Sequence, residues 1–126
     1  MRELTSHKVN GLNDRLTIEV NDHPGNGGAC HRYTIKGGDL SYMSVDEFVH
    51  CQIRFQNGPI AENKVNGVSN EALLAIIEDR LLGFQSGNYA CRENAIALTK
   101  IQEAMHWLHH RTIERVARGV EGTSEQ

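Results

Sequence analysis

His106, Trp107, His109, His110, Arg111, Arg115 and Arg118 crowd one short stretch of this chain, AMHWLHHRTIERVARG. Guanidinium forks grip phosphate oxygens in pairs, imidazoles serve as hydrogen-bond partners for sugars and phosphates, and aromatic faces hold bases by stacking. A ligand that is both anionic and aromatic suits such a set, and a nucleotide fits that description. Arg115 and Arg118 also have a plainer explanation, because cations near a helix C-terminus complement its dipole. Arg111, one turn after Trp107, is less well covered by it, since an exposed indole wants a partner.

Other chemistries find less support. His106, His109 and His110 have the i, i+3, i+4 spacing of helical metal ligands. No Glu completes an H-E-x-x-H pattern, however, and a third ligand would have to come from His31, His50 or a distant cysteine, so no metal site is expected. Glu93, Glu103 and Glu114 lie among Lys100, Arg111 and Arg118, as on a solvated helix face with i,i+4 pairs. No spacing suggests a nucleophile with its base, which argues against hydrolysis. The glycine-rich run HPGNGG, within Asn21–Ala29, is neither G-x-G-x-x-G nor a Walker sequence. It reads as a strand connector or as a ligand flap whose backbone amides approach phosphates.

The chain has 126 residues and a formal charge of −3, a length suited to a single domain. That balance disfavours attraction to long nucleic acid, while a local phosphate site stays open. No run is apolar enough to cross a membrane, and MRELTSHKVN lacks the core of a secretion signal. Cys30, Cys51 and Cys91 cannot all pair within one chain, so free thiols in a reducing cytoplasm are expected.

The elements that must position these residues follow from periodicity. Arg15–Val20 alternates apolar and polar residues, Cys30–Lys36 is rich in β-formers, and Phe48–Gln56 makes a third strand closed by Asn57-Gly58-Pro59. Residues 37–47 and the polar segment after Pro59 read as loops. Ser69 is an N-cap candidate for a helix carrying Leu73, Ile76, Ile77, Arg80, Leu81 and Phe84 at helical spacing. A second helix runs from about residues 90–92 to about Arg118, stopped by Gly119, with Leu98, Ile101, Met105 and Leu108 toward the core. The expected fold is therefore α+β: a small antiparallel sheet, about residues 1–66, packed on an antiparallel helical hairpin, about 69–118, with a loose tail at 119–126. The second helix is the longer one, so its basic end overhangs as a subunit contact or ligand clamp.

The runs GLNDRLTIEVNDHPGNGGACHRYTI, IRFQNGPI, VNGVSNEALLAIIEDRL, GFQSGNYACRENAIALTK and EAMHWLHHRTIERVARGVEGT resemble the phage anti-Thoeris sponge family. Its hairpin is shared with the phage anti-CBASS cyclic-nucleotide sponges. The resemblance spans nearly the whole chain outside residues 37–47. It implies a non-enzymatic protein, without cofactor, that sequesters cyclic ADP-ribose isomers (glycocyclic ADP-ribose) in the cytoplasm of the infected bacterial host. It further implies a homodimer, assembled into a homohexamer as a trimer of dimers, with cyclic tri- or dinucleotides held at a second site.

Carried onto this sequence, the resemblance implies that Phe84 stacks on adenine, Asn94 hydrogen-bonds the ligand and Arg111 grips the pyrophosphate beside Trp107. Asn21, Gly25, Gly27, Gly28 and Ala29, with His31 and Arg32, would form a lid, and Gln56 and Asn57 would line the ribose side. Arg115, Arg118 and Gly119 are the candidates for the second site. Family complexes place an N-terminal aromatic on the far face of the base, yet residues 1–30 contain no Phe, Trp or Tyr, leaving His23 or Tyr33 to substitute. Two other classes compete with the sponge: a small phage-encoded nucleotide hydrolase, and a protein-interaction module docking through Trp107.

Overall fold

The computed structural model describes residues 2–9, 11–38, 48–117 and 119. Its architecture is α+β, and the chain divides into two compact units, Met1–Gly58 with Val65–Gly67, and Pro59–Lys64 with Val68–Gln126.

The first unit is a four-stranded meander in the order β1-β2-β3-β4, antiparallel throughout. β1 is Arg2–Leu4, β2 Leu16–Val20, β3 Arg32–Gly37 and β4 Phe48–Arg54. Alternation puts Ile18 opposite Ile35 and Val20 opposite Tyr33. A register irregularity between Ile35 and Lys36 shifts the pairing along β4. The core is small: Val20 is 1% exposed, and Cys30, His31 and Thr34 are buried near it. Tyr33 meets the Phe55 ring edge-on at 5.6 Å, and Lys36 reaches Glu19 at 3.2 Å.

Three strands were expected and four are present among the described residues. β1 has three residues, too few for a period of two to show in the sequence. Two four-residue helices escaped for the same reason: α1, Gly11–Asp14, and α2, Ile60–Asn63, the latter where a loop was expected. Pro59 enters α2 at φ −66°, and Lys64 leaves it at φ +59° with its N–H donating to the Ile60 carbonyl. The expected strand boundaries shift as well: Cys30 and His31 precede β3, which extends to Gly37, and β4 stops at Arg54.

The segment Val65–Gly67 returns to the sheet unit through Asn66. Its side chain accepts from the Asn57 N–H and donates to the Asn57 carbonyl, both at 2.8 Å. Its own N–H donates to Gln56 Oε1 at 2.9 Å. Gly67 lies against the backbone of Arg54 and Phe55, where a side chain has no room.

The second unit carries α3, Asn70–Gln85, and α4, Arg92–Ala117, joined by residues 86–91 and packed on each other. Ser69 caps α3 as expected, its hydroxyl accepting from the Ala72 N–H at 3.1 Å. On α4 the half-buried stripe includes Leu98, Ile101, Met105 and Leu108, the expected core face. On α3, Leu73, Leu81 and Phe84 turn inward, but Ile76 and Ile77, expected in the same stripe, are exposed. Two helices cover only one flank of each other, so apolar residues on the remaining flanks stay open. The residue buried on α4 is Arg115, 8% exposed.

Candidate functional site

In the sheet unit the loop from β2 to β3 is closed by a ladder of polar bonds. The Asn21 N–H donates to the Arg32 carbonyl at 2.9 Å, and Thr34 Oγ1 donates to Asn21 Oδ1 at 2.5 Å. Asp22 accepts the His31 N–H at 2.9 Å and the Arg32 N–H at 3.1 Å, joining the first and last residues of the loop. Partial burial by itself would raise the Asp22 pKa. Those two N–H groups, with the His31 and Arg32 charges, outweigh it and hold the carboxyl below its ordinary 3.8.

Inside that closure the glycines make a tight ring. Gly25 N–H donates to the Ala29 carbonyl at 2.7 Å, and Gly28 N–H to the Gly25 carbonyl at 2.9 Å. Gly27 and Gly28 sit at φ +76° and +84°, a region that side chains disfavour. His31 is buried, with Nε2 3.2 Å from the Asn26 carbonyl, which makes Nε2 the protonated nitrogen. A Cβ on Gly25 would lie 3.2 Å from the His31 ring and 3.4 Å from Asn57 Oδ1. Gly25, His31 and Asn57 are thereby brought together. Gln56 is turned to a local task, its amide bonding the Gly58 carbonyl and the Asn66 N–H.

A cleft of about 260 Å³ opens beside this loop, lined by Arg2, Cys30 and residues 20–24. Its floor is Val20 and Cys30, its rim Arg2 and His23; it shares Asn21 with the expected ligand residues. Tyr33, one of the two suggested substitutes for the missing aromatic, is occupied by Phe55 and by its hydroxyl bond to the Cys30 carbonyl.

In the helical unit Phe84 and Asn94 gather at the turn. Arg80 lies over the Phe84 ring at 5.2 Å, one helical turn back, and Tyr89 meets that ring edge-on at 5.8 Å. Asn94 Nδ2 donates to the Tyr89 carbonyl at 3.2 Å, so the same amide that was expected to face the ligand also fixes the ring-bearing turn. Gln85 Oε1 accepts the Cys91 N–H at 3.1 Å. This corner offers an aromatic ring, a guanidinium and an amide: a stacking surface with polar edges. Sequence reasoning missed Arg80 and Tyr89 as members of it. The i,i+4 spacing of Arg80 and Phe84 was the available signal.

Trp107 and Arg111 sit far from that corner. Arg111 follows Asn94 by 17 positions, about 25 Å at the helical rise, too far for one nucleotide to touch both within a chain. Trp107 is 65% exposed, edge-on to His106 at 5.2 Å and to His110 at 5.7 Å. Arg111 is exposed beside them, whereas Arg115 turns inward. Gly119, at φ +73°, ends α4 with its N–H on the Val116 carbonyl. Arg118 lies outside the described residues.

Comparison with known proteins bears on the same elements. Residues 47–112 match a family model described as Acb2/Tad1, hairpin domain. A protein named Thoeris anti-defense 1, from Bacillus phage SBSphiJ7, is 46% identical over 93 residues, which cover 72% of this chain and 66% of that protein. The aligned part is thus just under two thirds of the relative's length. Gln56, Asn57, Phe84, Asn94, Trp107 and Arg111 fall inside the family match, while the loop at Asn21–Arg32 and the candidates from Arg115 onward fall outside it.

Proposed function

The chain belongs to the family defined by the Acb2/Tad1 hairpin domain, and from that membership we propose that it is a phage anti-defence sponge. It captures a cyclic ADP-ribose isomer of the glycocyclic type, made by Thoeris TIR proteins, and holds it unchanged. The observation that carries this reading is the corner of Phe84, Arg80, Tyr89 and Asn94 at the turn of the matched hairpin. Adenine stacks on Phe84 and Asn94 bonds the ligand's polar edge. The pyrophosphate is gripped by Arg111 of a second protomer whose hairpin runs alongside, a reading that the spacing along α4 supports. The Gly25–Ala29 ring with His31, Arg32 and Asn57 offers further backbone amides and polar side chains to the ligand, and Gln56 shapes the turn behind Asn57. Arg115, Arg118 and Gly119 belong to a separate site for a cyclic oligonucleotide.

A sponge needs tight equilibrium binding and no turnover. A Kd of about 1 nM corresponds to about −12 kcal/mol, within reach of a buried ligand that combines stacking with charge-assisted bonds. The test is calorimetric titration with glycocyclic ADP-ribose, followed by heat denaturation and chromatography of the released compound. Recovery of intact ligand at one equivalent per site supports the sponge. Linear ADP-ribose or AMP growing with time replaces it with a hydrolase. The exposed Trp107, Ile113 and Val116 near the end of α4 favour a second reading, a protein-docking module. Under that reading the titration is silent.

A further inference from the structure

We propose that His106 and His110 form a two-imidazole site for a borderline divalent transition ion of the zinc, nickel and copper class. The two residues are one turn apart on the exposed face of α4, with ring centroids 6.4 Å apart and planes within 14° of parallel. The i,i+4 spacing is the one by which a single helix presents two imidazoles to a metal in H-E-x-x-H sites. Neutral imidazole is the side chain these ions take most readily. The rings stand side by side in solvent. Rotation about χ2, which is a broad torsion for histidine, turns one nitrogen of each toward a common point at little cost.

The neighbours on α4 complete the case. Glu114 Oε1 lies 3.6 Å from His110 Nε2 and sets a negative charge beside the ion, against the positive charge of Arg111. Among the described residues no group of three or more His, Cys, Asp or Glu is placed to hold a metal. The site therefore has two protein ligands, and water fills the other positions. Such an ion exchanges freely and has no part in holding the fold. The proposal is independent of the nucleotide reading.

Trp107 supplies the readout, because it touches both rings and is the one tryptophan in the sequence. Tag-free protein is used with its exposed thiols, Cys51 and Cys91, blocked by iodoacetamide, since thiolates compete for these metals. Nickel chloride is titrated at neutral pH while Trp107 emission is followed. The expected result is saturable quenching at one ion per chain, reversed by EDTA and by competing zinc. His106→Ala and His110→Ala each weaken the apparent affinity about tenfold or more, because chelation by two linked ligands is lost. His109→Ala leaves it nearly unchanged, and circular dichroism checks that all three variants keep their helix. Quenching that never saturates, or that is identical in the His106→Ala, His110→Ala and parent proteins, overturns the proposal. A loss confined to His109→Ala does so as well.

Discussion

The carboxylate of Asp22 accepts the backbone N–H groups of His31 and Arg32, and its removal leaves two donors unpaired where the β2–β3 loop closes. Its pKa is lower in the folded chain than its ordinary 3.8. The stabilisation it gives is therefore complete above that value and fades as pH falls through the lowered folded one. In an acid titration by NMR, the amide signals of His31 and Arg32 shift together with a midpoint below 3.8, and Asp22→Asn abolishes that titration. Phe84 invites a second substitution. Phe84→Leu preserves an apolar side chain of similar reach on α3 but removes the ring, and calorimetry with glycocyclic ADP-ribose should record a loss of about 1–3 kcal/mol. An unchanged affinity would remove Phe84 from the proposed site. Motif resemblance pointed to Phe84 and Asn94 directly. Asp22 escaped because its partners lie nine and ten residues away, and sequence alone does not reveal which distant N–H groups an aspartate collects.

Among the elements, the longer ones were legible and the shorter ones were not. β2, β3 and β4 show alternation or runs of β-formers, and α3 and α4 repeat apolar residues for four turns or more, so their patterns outlast local accidents. β1, α1 and α2 are too brief to establish a period. Ile76 and Ile77 expose the limit of pattern reading at the other end. Helical spacing says which residues share a face; how much of that face a single neighbouring helix can cover is a matter of packing. The return of Val65–Gly67 to the sheet was equally invisible, since it depends on Asn66 bonding Gln56 and Asn57 and on bare backbone at Gly67. A Cβ there would meet the Phe55 carbonyl group and lie 2.6 Å from the Arg54 carbonyl oxygen. Gly67→Ala should cost about 1–3 kcal/mol, because rigid backbone cannot yield as a side chain tip does. Thermal denaturation checks it; an unaltered midpoint would mean the segment is not held this way.

At the scale of the molecule, neither α3 nor α4 has a fully buried apolar residue, while Ile76, Ile77, Leu82, Ile96, Ile113 and Val116 are exposed. A hairpin with so much open apolar surface fits the proposed assembly of copies, dimer or hexamer, that sedimentation can read. Ligand linkage gives the matching thermodynamic expectation. At free ligand of 100 times Kd, capture should stabilise the folded protein by about 2.7 kcal/mol and raise its melting temperature. Dilution below the association threshold should abolish that shift if two copies build each trap, and leave it intact if one copy suffices. The longer second helix had suggested a subunit contact at its overhanging end, but apolar spacing did not tell which residues, such as Ile76 and Ile77, a single chain leaves uncovered.

If, as proposed, each trap takes Asn94 from one chain and Arg111 from another, the distance between those residues turns into a rule of dosage. While chains are mostly solitary, finished traps grow as the square of their concentration, so halving early expression quarters the captured messenger. Once pairing saturates, each new chain adds capacity in proportion. A phage relying on such a device gains by a sudden burst of synthesis over slow accumulation, and a host gains most by delaying it.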